Sequence, residues 1–364
     1  MNAIERSANP LKTKQHFEIL DGLRGIAAVA VVIFHFMEFA VPDYSKSFIA
    51  HAYLAVDFFF CLSGFVIAYA YDSKLQKIGI IPFFKLRLIR LHPLVVIGSV
   101  LGLLTFVFDP FSNLYAAYGA GKTFLMFLAS CLLIPYPVVQ QRYFNLFHLN
   151  PPTWSLFWEY IANIIYAFVL FKLRNKVLWV LTAIAAAALC YEAKKSGYLG
   201  VGWGGDNFIG GGIRVAYSFV IGMLVYRSNW IIKSRIGFLA TAILLTIAFL
   251  IPYRDKLNWI TDPLIVLFYF PFLVAVGAGA RLTPLFTNIC RFSGEISYPL
   301  YMIHYPFLWI FLSYLEAKKP TMNQMEIIIP IAVLLLIVLA YAIMFFLDIP
   351  LRKYLKDRMK KGLQ

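Results

Sequence analysis

The chain has 364 residues, 61% of them hydrophobic and only 14% charged, far from the roughly one-quarter charged usage of soluble globular domains. A soluble enzyme, a disordered tail and a secreted disulfide scaffold are excluded, because no soluble surface carries 34 Phe and 22 Tyr beside so few charges. The formal net charge of +15 is what a membrane chain accumulates on its cytoplasmic side, and no nucleic-acid partner is expected from it.

Eleven apolar stretches follow in chain order, near 18–40, 52–71, 93–109, 123–136, 154–171, 177–191, 213–227, 236–252, 262–280, 297–315 and 327–347. A span needs about 20 apolar residues, and 123–136 falls short. Suppose that stretch does not cross and the N-terminal segment, with Arg6, Lys12 and Lys14, is inside. Then 22 of the 33 Lys and Arg lie in cytoplasmic segments and nine outside. If it crossed, KLRNK at 172–176 and the tail LRKYLKDRMKK would both face outward, against the positive-inside bias. The expected fold is an all-α polytopic membrane bundle of about ten transmembrane helices, both termini cytoplasmic, with one re-entrant or interfacial helix in a long outer loop, 110–153. The expected divisions are a cytoplasmic segment 1–16, a membrane domain 17–350 and a basic cytoplasmic tail 351–364. Irregular backbone at membrane depth is tolerated only against protein or a wet cavity, so the long loop either roofs an outward-facing site or lies on lipid.

An ionisable side chain inside a span is costly unless paired or hydrated, which makes each one a functional candidate. In DGLRGIAAVAVVIFHF, Arg24 and His35 are eleven residues apart. On a helix that is about 20° around the axis and about 16 Å along it, so they share one face. Counted inward from the outer boundary, His35, Asp57 in VDFFFCLSGF and Glu159 in PPTWSLFWEYIANIIY come to one level, about five residues deep. A histidine beside a carboxylate is the arrangement of a general base. Helix-packing hydrogen bonds for His35, a local pair for Asp57 and a helix-end role for Glu159 are the alternatives, and spacing alone also allows a proton-coupled transporter.

In FFKLRLIRLHP, Arg87 and Arg90 stand three apart, with Lys85 and His92 near them. This set suits the phosphates of a cytosolic ligand or the headgroups of anionic lipid. In SGEISYPLYMIHYPF, Ser297, Tyr301 and His304 fall on one helical face, as a site lining or as aromatic packing around Pro306. Asp348, Arg214 and Asp262 read as structural charges at helix ends. Cys61, Cys131, Cys190 and Cys290 lie in apolar runs without metal or redox spacing, so they are packing residues and no metal is expected.

Taken together, LDGLRGIAAVAVVIFHF, VDFFFCLSGFVI, RLIRLHP, PPTWSLFWEYIANIIY and SYPLYMIHYPF stand in an order that resembles the membrane acyltransferase-3 family, whose members O-acylate extracytoplasmic glycans with acyl-coenzyme A. The resemblance covers nearly the whole chain. It implies that His35 is the essential histidine and Arg24 its partner. It further implies that Arg87 and Arg90 are the basic pair at the coenzyme A phosphates, that Glu159 is the acidic residue of the WSL motif, and that Asp57 and Ser63 belong to the second motif. Ser63, Trp154, Tyr301 and His304 are the expected site lining. His92 stands where members commonly have an aromatic residue before the proline. A stand-alone member without a fused hydrolase-like domain is expected, in which any second transfer step needs a partner protein.

The expected activity is acyl-coenzyme A-dependent O-acyltransfer in the inner (plasma) membrane, with acetyl as the default group. Acetyl-coenzyme A is the co-substrate, no cofactor is held permanently, and the acceptor is a lipid-linked or polymeric saccharide. His35, oriented by Glu159 or Asp57, takes the hydroxyl proton. The mechanism needs a passage from the cytoplasmic arginines to His35. A transporter or flippase of a lipid-linked saccharide is the alternative.

Overall fold

The computed structural model describes residues 16–361, so Arg6, Lys12 and Lys14, and nearly all of segment 1–16, lie outside the described residues. Among the described residues the chain is helical and holds no strand. Each apolar stretch becomes one helical segment. We label them α1 (Glu18–Ala40), α2 (Ala50–Tyr71), α3 (Ile80–Val107), α4 (Leu114–Cys131), α5 (Thr153–Phe168) and α6 (Asn175–Ser196). They are followed by α7 (Phe208–Arg227), α8 (Phe238–Leu250), α9 (Asn258–Gly279), α10 (Pro284–Lys318) and α11 (Met322–Lys361). By length and composition α1, α2, α3, α6, α7, α9 and α11 are each able to cross a membrane. The chain is a polytopic membrane helix bundle.

The two most extensive pairings are α1 with α10 and α2 with α7. Close helix approach without a hydrophobic driving force calls for small residues at the crossing. Gly64 and Gly222 supply them: a Cβ on Gly64 would strike the Phe219 carbonyl, and one on Gly222 the Cys61 carbonyl. Both pairs run parallel. Arg24 meets Ser297 and His35 meets His304, while Asp57 meets Arg214 and Asp72 meets Arg227. For α2 and α7 to be parallel, one or three of α3–α6 must return without crossing. The helix suited to this is α4, which Gly119 breaks (φ 73°, ψ 167°) and which leaves Phe124 and Leu125 on the outer surface.

The long loop 110–153 divides in two: its last part, from Tyr143, borders an internal cavity, and its helical part does not. α4 packs on the outside of α3, and the backbone that enters the bundle is 145–152, all of it buried. Two of its polar groups are met by α10. Trp309 Nε1 donates to the His148 carbonyl at 2.6 Å, and Asn150 Nδ2 donates to the Met302 carbonyl at 2.9 Å. The Met302 carbonyl is free because Pro306, four residues on, has no N–H to give it. As a result α5 begins inside the bundle, and its residues sit deeper than a count from the outer boundary places them.

Candidate functional site

The outer end of α1 carries the polar centre. Glu38 follows His35 by three residues, one turn further along the same face, and its Oε2 accepts from His35 Nδ1 at 2.8 Å. Tyr44 Oη donates to the other carboxylate oxygen at 2.7 Å. Burial, then the Glu38 charge, holds the Tyr44 hydroxyl well above the usual phenol range, so it stays a donor. An ionised carboxylate only accepts, so His35 Nδ1 carries the hydrogen and Nε2 presents its lone pair. His35 and Glu38 line a cavity of about 380 Å³ whose walls are largely aromatic, among them Tyr53, Trp154, Tyr198 and Trp203. Tyr143 and Asn145 of the outer loop complete it. The imidazole therefore faces a cavity and not lipid.

The pairing of His35 with Asp57 or Glu159 expected from helix depth is not found. Asp57 is 0% exposed and held by Arg214, whose Nη2 and Nε lie 2.6 and 3.1 Å from Oδ2. Arg214 also donates to the Val201 and Tyr53 carbonyls and stacks on the Trp154 ring. Arg214, read from the sequence as a structural charge, thus borders the same cavity as His35. Glu159 accepts from Arg87 Nη2 at 2.8 Å and from Ser63 Oγ at 2.9 Å. It lies at the level of the arginines because the chain is already inside the bundle when α5 starts. Ser63 accordingly belongs to this ion pair and not to the cavity wall. Trp154 and Tyr301 do line the cavity, and His304 stacks on the His35 ring (centroids 5.5 Å apart, planes at 24°).

Arg24 and His35 share a face, as their spacing requires, and both meet α10. Arg24 Nε donates to Ser297 Oγ at 2.8 Å and Nη2 to the Gly294 carbonyl at 2.6 Å, with Asp21 3.1 Å away. Arg87 is buried and committed to Glu159, whereas Arg90 is exposed and has no hydrogen bond or ion pair among the described residues. Arg90 lies within electrostatic range of Arg24, Arg87 and Glu159. The three arginines thus gather on the far side of the cavity floor. That floor is formed by Val31, Val56 and Tyr301, and the cavity touches none of the arginines. Tyr301 Oη and Ser155 Oγ are hydrogen-bonded at 2.8 Å, and Phe59 packs edge-on against the Tyr301 ring. The cavity thus ends at Tyr301 and does not itself trace the expected passage to the arginines.

Two further groups went unnoticed in the sequence. Glu38 is one, although an i, i+3 neighbour of His35 is a readable pattern. The other is Arg142 of the outer loop, whose guanidinium lies between the Phe106 and Trp309 rings. Burial presses it down to about 9, and burial with the Arg142 charge holds His148 well below the usual histidine range. Nothing in the local sequence marks that sandwich.

Fold and site define an integral, multi-pass membrane protein with an internal, histidine-bearing chamber. The chain belongs to the acyltransferase-3 family, since the family model described as an acyltransferase domain matches residues 17–349. It is similar to protein 2 in the picA locus of Rhizobium radiobacter, 35% identical over 188 residues, which cover 49% of this chain and 95% of that protein. It is also similar to the O-acetyltransferase OatA of Staphylococcus aureus (strain NCTC 8325 / PS 47), 25% identical over 361 residues, covering 92% of this chain and 57% of OatA. A putative O-acetyltransferase of Staphylococcus aureus (strain COL) is 25% identical over 370 residues, with 94% and 58% covered. The chain spans little more than half the length of these two O-acetyltransferases. No solved structure matches it.

Proposed function

We propose that the chain is an O-acetyltransferase of the inner (plasma) membrane, with both termini cytoplasmic. It moves an acetyl group from cytosolic acetyl-coenzyme A to a hydroxyl of a lipid-linked or polymeric glycan on the outer side. The observation that carries this reading is the Tyr44–Glu38–His35 chain of hydrogen bonds, which leaves one imidazole nitrogen open at an aromatic-walled cavity. The names of OatA and the putative O-acetyltransferase support acetyl as the group and oxygen as its acceptor. Aromatic walls suit sugar rings, whose C–H faces pack on them while the hydroxyls point to polar groups.

In this reading the sugar oxygen attacks the thioester carbonyl carbon while His35 Nε2 takes the hydroxyl proton. The C–S bond then breaks, and the departing thiolate receives that proton back from the imidazolium. Glu38 stabilises the imidazolium between the two steps and keeps the ring in the productive tautomer. The coenzyme A phosphates go to Arg90 and Arg24, with Arg87 joining when Glu159 releases it. On its way from the arginines to His35 the acyl arm passes the Ser155–Tyr301 contact.

The test is transfer of label from radioactive acetyl-coenzyme A to glycan in membranes containing the chain. Wild type labels the glycan, and His35→Ala at equal protein level gives no label above background. Undiminished labelling by His35→Ala removes the base from this reading. Movement of a lipid-linked saccharide without coenzyme A would replace it with transport.

A further inference from the structure

His304 is fully buried on α10 beneath His35, and its hydrogen bonds determine which nitrogen is free. Nδ1 lies 2.8 Å from the Tyr301 carbonyl and 3.2 Å from the Leu300 carbonyl. Carbonyl oxygens only accept, so Nδ1 carries the hydrogen and Nε2 is a bare lone pair. That Nε2 is buried and has no partner among the described residues. A buried acceptor left unsatisfied is destabilising, and such groups in a native fold call for a reason.

The position of the ring supplies one. Its nearest aromatic neighbours are His35, Tyr301 and Tyr305. Tyr301 belongs to the layer that separates the arginines from the cavity, and it sits three residues before His304 on the same helix. A molecule that reaches His35 from the arginine side therefore passes Tyr301 and comes to lie beside the His304 ring. The arm of acyl-coenzyme A has an amide N–H two carbons from the thioester sulfur. With the thioester carbonyl at His35, that N–H falls about one ring-to-ring distance behind it, where His304 stands (5.5 Å between centroids).

We propose that His304 is a donor-recognition residue, whose Nε2 accepts a hydrogen bond from the amide N–H nearest the sulfur of the acyl-carrying arm. The site thereby selects thioesters of N-acylated cysteamine over other thioesters. This rests on the acetyl-coenzyme A reading above.

The experiment uses the full chain in lipid nanodiscs with glycan acceptor and two truncated donors of equal shape. One is S-acetyl-N-acetylcysteamine. The other is S-(2-acetoxyethyl) thioacetate, in which the amide N–H is replaced by an ester oxygen. Wild type should use the amide donor with a kcat/KM about tenfold above that of the ester, the effect of one buried hydrogen bond. His304→Asn, whose side-chain N–H still reaches the Tyr301 carbonyl but which lacks the second nitrogen, should use both donors equally, and His304→Gln should restore part of the preference. Equal use of both donors by wild type overturns the inference without recourse to any variant, as does an undiminished preference in His304→Asn. If wild type transfers acetyl from neither donor nor from acetyl-coenzyme A, the acetyltransferase reading itself falls. Transfer from acetyl-coenzyme A with no preference between the truncated donors sinks only the role of His304.

Discussion

Two charge pairs border one cavity and differ in what they leave unused. Asp57 and Arg214 are 0% and 1% exposed, both Asp57 oxygens accept from the guanidinium, and Arg214 Nη1 and Nη2 also donate to the Val201 and Tyr53 carbonyls. In the His35–Glu38 pair the side chains are 22% and 27% exposed, and the imidazole keeps one nitrogen directed to the cavity side. A membrane interior makes any lone ionisable group expensive, so both pairs had to be closed in some way. The first has both carboxylate oxygens committed to one guanidinium and holds α2 to α7. The second is closed on one nitrogen and is able to react on the other.

The sharpest way to break this contrast is at Arg214. Removing one partner of a buried pair leaves an uncompensated charge and costs about 3–5 kcal/mol. Arg214→Met should therefore lower the melting temperature in detergent severely, and adding Asp57→Leu should recover most of the loss. A stable double variant that has lost all transfer would show that the closed pair does more than hold α2 to α7. Glu38→Gln tests the open pair. The amide keeps the shape but cannot stabilise an imidazolium, so kcat for label transfer should fall about 10²-fold with the melting temperature unmoved. An unchanged kcat would demote Glu38 to a packing neighbour. The smallest effect is expected for Tyr44→Phe, which removes one donor from Glu38 and should lower kcat about fivefold, read in the same assay.

How much of this was legible depends on which residues lie close in sequence. The shared face of Arg24 and His35 follows from helix periodicity alone, and α10 does meet them at Ser297 and His304. The charge bias singled out one stretch as not crossing, and α4, broken at Gly119, is the helix whose geometry fits the parallel pairing of α2 with α7. Depth counting failed for Glu159 because it assumed that α5 begins at the outer boundary. No local pattern announces that 145–152 dives inward, since its burial depends on partners in α10. The Asp57–Arg214 pair bridges 157 residues and has no trace in local spacing. Glu38 was readable one turn from His35, but a search by depth passed over it in favour of carboxylates on other helices.

The proline in the middle of α10 gives the chamber its mechanics. Had residue 306 an amide hydrogen, the Met302 oxygen would be spoken for within its own helix; instead it fastens Asn150, and with it the inward-diving segment above the cavity. Met302 is the immediate neighbour of Tyr301. Displacing the 145–152 segment therefore pulls on the turn of α10 that carries Tyr301, so that the cover of the cavity and the Tyr301–Ser155 contact are linked through a single absent hydrogen.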